Sequence, residues 1–467
     1  MDTSYYPQRV RQMVTPVRRD HEPGLFTRLV APMRRMTLVI DADTVGSRDS
    51  RSVAGAVLST LLDHPYLDCY VFDDRDPEAR GRQLREWLVV PPGGREVDPA
   101  LDLDSGYARQ HTHPDAKIST VAAAAGADIV VTERDHLFEA RLWTVEDPCR
   151  WAMDPQCFRP RQAIALIGLY LRAQGHHRIW EPVESLPESL DRKRFYADGA
   201  HTLVPAAFQW CELYENHGPG TPRSAAASSV TYRTELSLWQ RDVMHQALQQ
   251  SDDFYAFNAT CLAFDQCLLL MMGALDAAAL VVHSALRVDC HERLAAWQNK
   301  DWVTHLAARH ADLAALVAPG TPGRHLLEVL RALRNTVHKA SLASTARGEM
   351  RSFGRFRPLL TLPADPVFTT SLAALGRPED WGVTTSPAYM DPGVFLDRLI
   401  VLQTGLLDDL MTALLQEALK RAAAGQSGWD PTGRIGDRRY GPSPEYLLCL
   451  LGLDVARGRG PDPAIKG

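Results

Sequence analysis

Carboxylates recur where apolar runs stop. Asp41 and Asp43 follow the run Thr37-Leu-Val-Ile40. Glu133 and Asp135 follow Ile129-Val-Val131 and Thr132, and Asp115 opens the helical stretch before that second run. Carboxylates gathered in one place repel unless a hard cation sits among them. Mg²⁺ or Mn²⁺ takes oxygen ligands of this kind and keeps waters for chemistry. Such an ion lowers the pKa of a bound water and stabilises charge on a phosphodiester in transit. Asp41, Asp43, Asp115, Glu133 and Asp135 are therefore candidate metal ligands, with Asp41, Asp115 and Asp135 as candidate catalytic groups. Plainer roles stand beside these. An aspartate directly after a strand often caps a turn, and Asp115 after His113-Pro114 is a natural helix N-cap. Asp43, Glu133 and Asp135 could equally be solvated loop charges.

A second group lies between Leu326 and Ala340. Leu326, Leu330, Leu333 and Val337 are spaced four, three and four apart and form one apolar helical stripe. Arg331, Arg334, Asn335 and His338 share a neighbouring face, and two turns of helix nearly eclipse Arg331 and His338. An arginine that grips phosphate beside a histidine that moves a proton can cleave RNA without metal, because the 2′-hydroxyl is the nucleophile. Arg334 and His338 are the candidate pair; the alternative is an ordinary Arg/His pair on the outside of a packed helix. Asp265, Asp276 and His283 fall on one stripe of an earlier helix, read as a solvent or groove face. Met350 to Arg357 interleaves arginine with phenylalanine, which suits either stacking on single-stranded RNA or a hairpin within an insertion.

The elements that would position these groups change character along the chain. Thr37–Ile40, Asp68–Phe72 and Ala127–Thr132 read as strands. Val53–Leu62, Asp115–Ala125 and Pro160–Ala173 read as helices. This alternation predicts a parallel sheet whose strands end at one common edge, where ligands bind. Later the pattern is almost wholly helical: Glu235–Gln250, Asp253–Val288, Trp302–Val317, Gly323–Ala343 and Asp391–Ala424, the last with Asp391 as N-cap and Pro392 in its first turn. The expected organisation is a basic leader at 1–35, an α/β unit at 36–175 and a connector at 176–229 with a Gly/Pro/Ser-rich linker from Gly218. An α-helical unit at 230–430 carries an irregular insertion near 344–390, and 431–467 is expected to be a flexible tail.

The segment from Asp115 through Gly126-Ala-Asp-Ile-Val-Val-Thr132 resembles the PIN family, in which an aspartate opens a helix that leads to an apolar strand and a threonine. Ile40-Asp-Ala-Asp43 is similar to that family's first strand and first metal-binding aspartate, Arg141–Val145 to its final strand, and Pro160–Arg172 to its closing helix. The resemblance covers about residues 36–175 and implies an α/β PIN-like parallel sheet domain with a Mg²⁺ or Mn²⁺ centre that cleaves RNA. Asp41 and Asp115 would be ligands. The family aspartate two residues after the threonine is replaced by Arg134, so Asp135 or Glu133 would have to stand in for it. Arg334-Asn335 and His338 resemble the Arg-Asn-x-x-x-His signature of the HEPN families, with one intervening residue fewer. That likeness implies an all-α helical (HEPN-like) domain, a metal-independent ribonuclease or a non-catalytic RNA- or protein-binding module, and pairing into a homodimer through the helices. Together the two resemblances imply RNA as partner, with a toxin or defence role and a protein antitoxin as expectations from analogy.

Composition narrows the class. The chain has 467 residues, 45% hydrophobic and 23% charged, with a net charge of −6, values of a soluble globular protein of two or three domains. That charge excludes a uniformly basic nucleic-acid coat while leaving room for a local patch. Six of the 51 basic residues are lysine, a compositional bias towards arginine. The eight cysteines include no Cys-x-x-Cys pair, so free thiols in a cytoplasmic setting are expected. No membrane association is expected either: the most apolar stretch, Ala259–Val282, is interrupted by Asp265, Gln266 and Asp276.

Overall fold

The computed structural model describes residues 35–41, 44, 53–61, 64, 66–72, 127–134, 156–177, 192–217, 222–249, 254–339, 359–385, 388–423 and 444–453. The N-terminal part is a four-stranded parallel sheet with the order β2-β1-β3-β4, built from β1 (Met36–Asp41), β2 (Leu67–Phe72), β3 (Ile129–Val131) and β4 (Gln156–Phe158). Helix α1 (Val53–Leu61) crosses from β1 to β2, and α2 (Pro160–Ala173) follows β4. Met36, Leu38, Val39 and Ile40 are fully buried, as expected of a central parallel strand with both faces covered. Pro160 starts α2 at a position where its missing N–H costs nothing, and Gly175, at φ +85°, ends it in the left-handed region.

The remainder is mostly helical. Helices α3 (Arg192–Leu203) and α4 (Pro205–His217) lead into a long hairpin of α5 (Pro222–Leu248) and α6 (Phe254–Leu286). Short helices α7 (Lys300–Ala307) and α8 (Ala311–Ala315) precede α9 (Pro322–Lys339). After α10 (Pro366–Ala374) and a small antiparallel sheet of β5 (Leu360–Thr361), β6 (Val383–Thr385) and β7 (Ala388–Met390), helix α11 (Pro392–Ala423) returns across α5, α6 and α9. Asp391 caps α11 as expected: its Oδ1 accepts from the backbone N–H of Gly393 at 2.8 Å and of Val394 at 3.2 Å. Phe257–Leu286 and Pro392–Lys420 are long and apolar enough to span a membrane, yet more than half of each is buried against other helices.

Several expectations are corrected. The linker from Gly218 is largely helix, since α5 begins at Pro222 and buries Ser224 and Ala227. The stretch Trp302–Val317 is two short helices instead of one. The insertion near 344–390 contains α10 and the small sheet. The tail from 431 contains a further helix, α12 (Pro444–Leu451), which buries Tyr446, Leu447, Leu450 and Leu451. Helix α12 packs on α1, α2 and α3, so the end of the chain returns to the sheet unit at its beginning.

A buried ionic network fixes that junction. Asp242 of α5 is fully buried and accepts from Arg172 of α2 (Nε at 2.5 Å, Nη2 at 3.2 Å), Arg241 (Nη1 at 3.1 Å) and the Tyr196 hydroxyl (2.8 Å). Arg172 also donates through Nη1 to the Leu450 carbonyl of α12 at 2.9 Å. Arg241 continues to Asp397 of α11 at 2.6 Å, which in turn meets His245 Nε2 at 2.8 Å. Burial alone would raise the Asp242 carboxyl, but the two guanidinium groups outweigh it and hold it below the ordinary carboxylate range.

Candidate functional site

At the sheet's C-terminal edge, β1 runs beside β2 on one side and β3 on the other, so the strand order reverses at β1/β3. Such a reversal is the usual ligand crevice of a parallel sheet. Ile40 is in register with Val131, which sets Asp41 beside Thr132, one residue further along. The Asp41 residue is 1% exposed. Its Oδ2 accepts from the Thr132 hydroxyl at 2.9 Å and from Arg134 Nε at 2.6 Å, and its Oδ1 from Arg134 Nη2 at 3.3 Å. Thr132 Oγ1 also accepts from the Arg134 backbone N–H at 3.1 Å. The three residues thus close a hydrogen-bonded ring. The Asp41 carbonyl accepts from the Thr44 hydroxyl at 2.6 Å and holds the exit of β1.

Of the other expected ligands, Glu133 is 3.1 Å from Arg159 Nη1, and both side chains are about half exposed. Asp43, Asp115 and Asp135 lie outside the described residues, as do the strand expected at Arg141–Val145 and the segment Met350–Arg357. Among the described residues no group of three His, Cys, Asp or Glu side chains could hold a metal. A divalent ion would need the Asp41 oxygens at about 2.0–2.1 Å, and among the described contacts both of those oxygens accept from the Arg134 guanidinium. Asp128 of the Gly-Ala-Asp stretch is structural: its Oδ2 accepts from the Thr37 backbone N–H at 2.9 Å, at the opposite end of β1.

The helical candidates lie on α9, Pro322–Lys339. Arg334 on α9 is half-buried, and Asp276 on α6 feels its charge together with that of Arg233 on α5. Burial pushes the Asp276 carboxyl up and the two arginines pull it back. Arg233 also donates through Nη1 to the Gly273 carbonyl, one turn away on α6. Arg331 pairs with Glu328 at 2.5 Å, one turn back on the same helix. His338 lies one turn beyond Arg334 on the same helix. The Asp265, Asp276, His283 stripe is half-buried, and His283 Nδ1 accepts from Trp302 Nε1 at 3.4 Å. Burial lifts the Asp265 carboxyl to about 6.

Sequence reasoning missed the part played by Arg134, although its position was noted as a departure, and missed the Arg172–Asp242–Arg241–Asp397–His245 chain altogether. The one available signal for the latter was Arg241-Asp242 in the middle of a helix whose neighbours are apolar. No protein family, curated protein or solved structure matches the chain.

Proposed function

We propose that this chain is an RNA-directed protein, in which a PIN-like α/β unit joined to a HEPN-like helical unit receives RNA at the sheet edge around Asp41, Thr132 and Arg134. The observation that carries the reading is the place of that ring. It lies at the reversal of strand order, on the C-terminal ends of parallel strands, where open α/β sheets take ligands. The guanidinium neutralises the buried carboxylate, so an incoming phosphodiester meets an arginine and not an uncompensated negative charge. As the ring stands, it binds.

Two catalytic readings each have an observation in their favour. A metal-dependent endoribonuclease using Asp41, Asp43, Asp115, Glu133 and Asp135 with Mg²⁺ or Mn²⁺ is favoured by Asp41 at the end of the central strand. A metal-independent ribonuclease at Arg334 and His338 is favoured by the charge of Arg334, which with that of Arg233 acts on the half-buried Asp276. Labelled RNA incubated with the full chain in Mg²⁺, in Mn²⁺ and in EDTA separates the three. Binding of intact RNA, undiminished by EDTA and weakened in Arg134→Ala, is the expected result. Cleavage that EDTA abolishes would transfer the assignment to the carboxylates. Cleavage that survives EDTA and is lost in His338→Ala would transfer it to the helices. Absence of RNA binding would sink the proposal.

A further inference from the structure

We infer that Arg134 is the resident cation of the sheet edge: its guanidinium takes the position a divalent ion would need, and one side chain decides whether this edge binds metal. The inference rests on reading this edge as the working site. A carboxylate as deeply buried as Asp41 requires a compensating positive charge. Two chemistries supply one, a hard cation or a guanidinium, and here the guanidinium is built in.

The geometry sets the two in competition. Arg134 Nε at 2.6 Å and Nη2 at 3.3 Å engage both oxygens of Asp41 in a fork. A metal bound to either oxygen would lie within contact distance of that group, and two cations sharing one carboxylate repel. Arg134 is also anchored at its backbone, since its N–H donates to Thr132 Oγ1, whose own proton goes to Asp41. Swinging the side chain away would leave Asp41 with the Thr132 hydroxyl as its remaining partner in the ring. With a side chain only 16% exposed, Arg134 competes with solvent ions from inside the site.

An aspartate at position 134 would change the local charge by two units and set a second carboxylate beside Asp41. The edge would then pass from self-neutralised to metal-requiring by a single substitution. Mn²⁺ titration calorimetry on the full chain tests this with wild type, Asp41→Asn, Arg134→Ala, Arg134→Asp and the double variant Asp41→Asn/Arg134→Asp, each checked for folding by circular dichroism. Wild type should show no Asp41-dependent Mn²⁺ site. Arg134→Asp should gain one at least about tenfold tighter than any residual binding, and the double variant should lose it. Arg134→Ala should show a weaker gain of the same kind. Wild-type binding of one Mn²⁺ that disappears in Asp41→Asn would overturn the inference, and so would a folded Arg134→Asp chain that binds none. RNA binding is measured separately: its failure would remove the proposed function while leaving the metal result to stand or fall alone.

Discussion

Replacing Asp242 by alanine should loosen the junction between the sheet unit and the helices more than any surface change. Asp242 is fully buried and accepts from Arg172, Arg241 and Tyr196. Removal leaves Arg241 with Asp397 but leaves Arg172 with only the Leu450 carbonyl among the partners described above. Breaking one side of a buried ion pair costs about 3–5 kcal/mol, because the remaining charge stays desolvated. At about 2–4 °C per kcal/mol for a unit of 150–250 residues, the melting temperature should fall by about 6–20 °C. A chain of this size need not unfold in one step, so a local readout belongs beside the melt. Amide exchange in α2 and α12 should accelerate together, because Arg172 ties both to α5. The apolar double variant Arg172→Met/Asp242→Leu should recover most of the loss, since no buried charge is then left unpaired at that contact. A loss below about 1 kcal/mol in Asp242→Ala, or exchange confined to α5, would refute the reasoning.

The same network sets an acid limit. Burial would raise the Asp397 carboxyl, but Arg241 and His245 hold it down at about 2. A depressed carboxylate contributes fully above its unfolded value of about 3.9. The contribution is lost as pH falls from there towards about 2.

Asp265 should behave in the opposite sense. Its folded pKa of about 6 lies above the unfolded value, so the wild type should lose stability as pH rises from about 4 to about 6. Asp265→Asn should lack that slope, and equal urea midpoints for the two chains at pH 4.5 and pH 7.5 would contradict it. Gly168→Ala should destabilise although alanine is the better helix former, because the added Cβ would lie 2.7 Å from the Leu450 carbonyl oxygen. Overpacking of this kind costs about 1–3 kcal/mol, and earlier proteolysis near α12 would report it.

The elements that could be read from the sequence are those whose side chains repeat. The strand at Thr37–Ile40 and the helix at Pro160–Ala173 announce themselves by apolar runs, a starting proline and a stopping glycine. Strand β4 does not, because Gln156-Cys-Phe158 is too short to show a period. The start of α5 is hidden in a Pro/Ser-rich segment that composition assigns to a linker, although its alanines favour helix and a proline is welcome at its first turn. Of the candidate site, Asp41 was legible from its place after a strand. The ionic network was not, because its partners are separated by 70, 156 and 278 residues and only packing brings them together.

Arginine solves one problem repeatedly in this fold. Asp41, Asp242, Asp276 and Asp397 are carboxylates withdrawn from water to different degrees, and each is faced by one or more guanidinium groups. Lysine would serve poorly at these places. A point charge satisfies one oxygen, whereas the planar fork of Arg134 or Arg172 reaches both oxygens of its aspartate and remains charged when buried. The scarcity of lysine can begin as a compositional bias, yet the folded chain makes use of it. The same pairing carries different consequences by location. Between helices it joins elements distant in sequence, and at the sheet edge it neutralises the carboxylate that ends the central strand. If the inference about the sheet edge holds, the sign of the side chain at position 134 sets what that edge can bind.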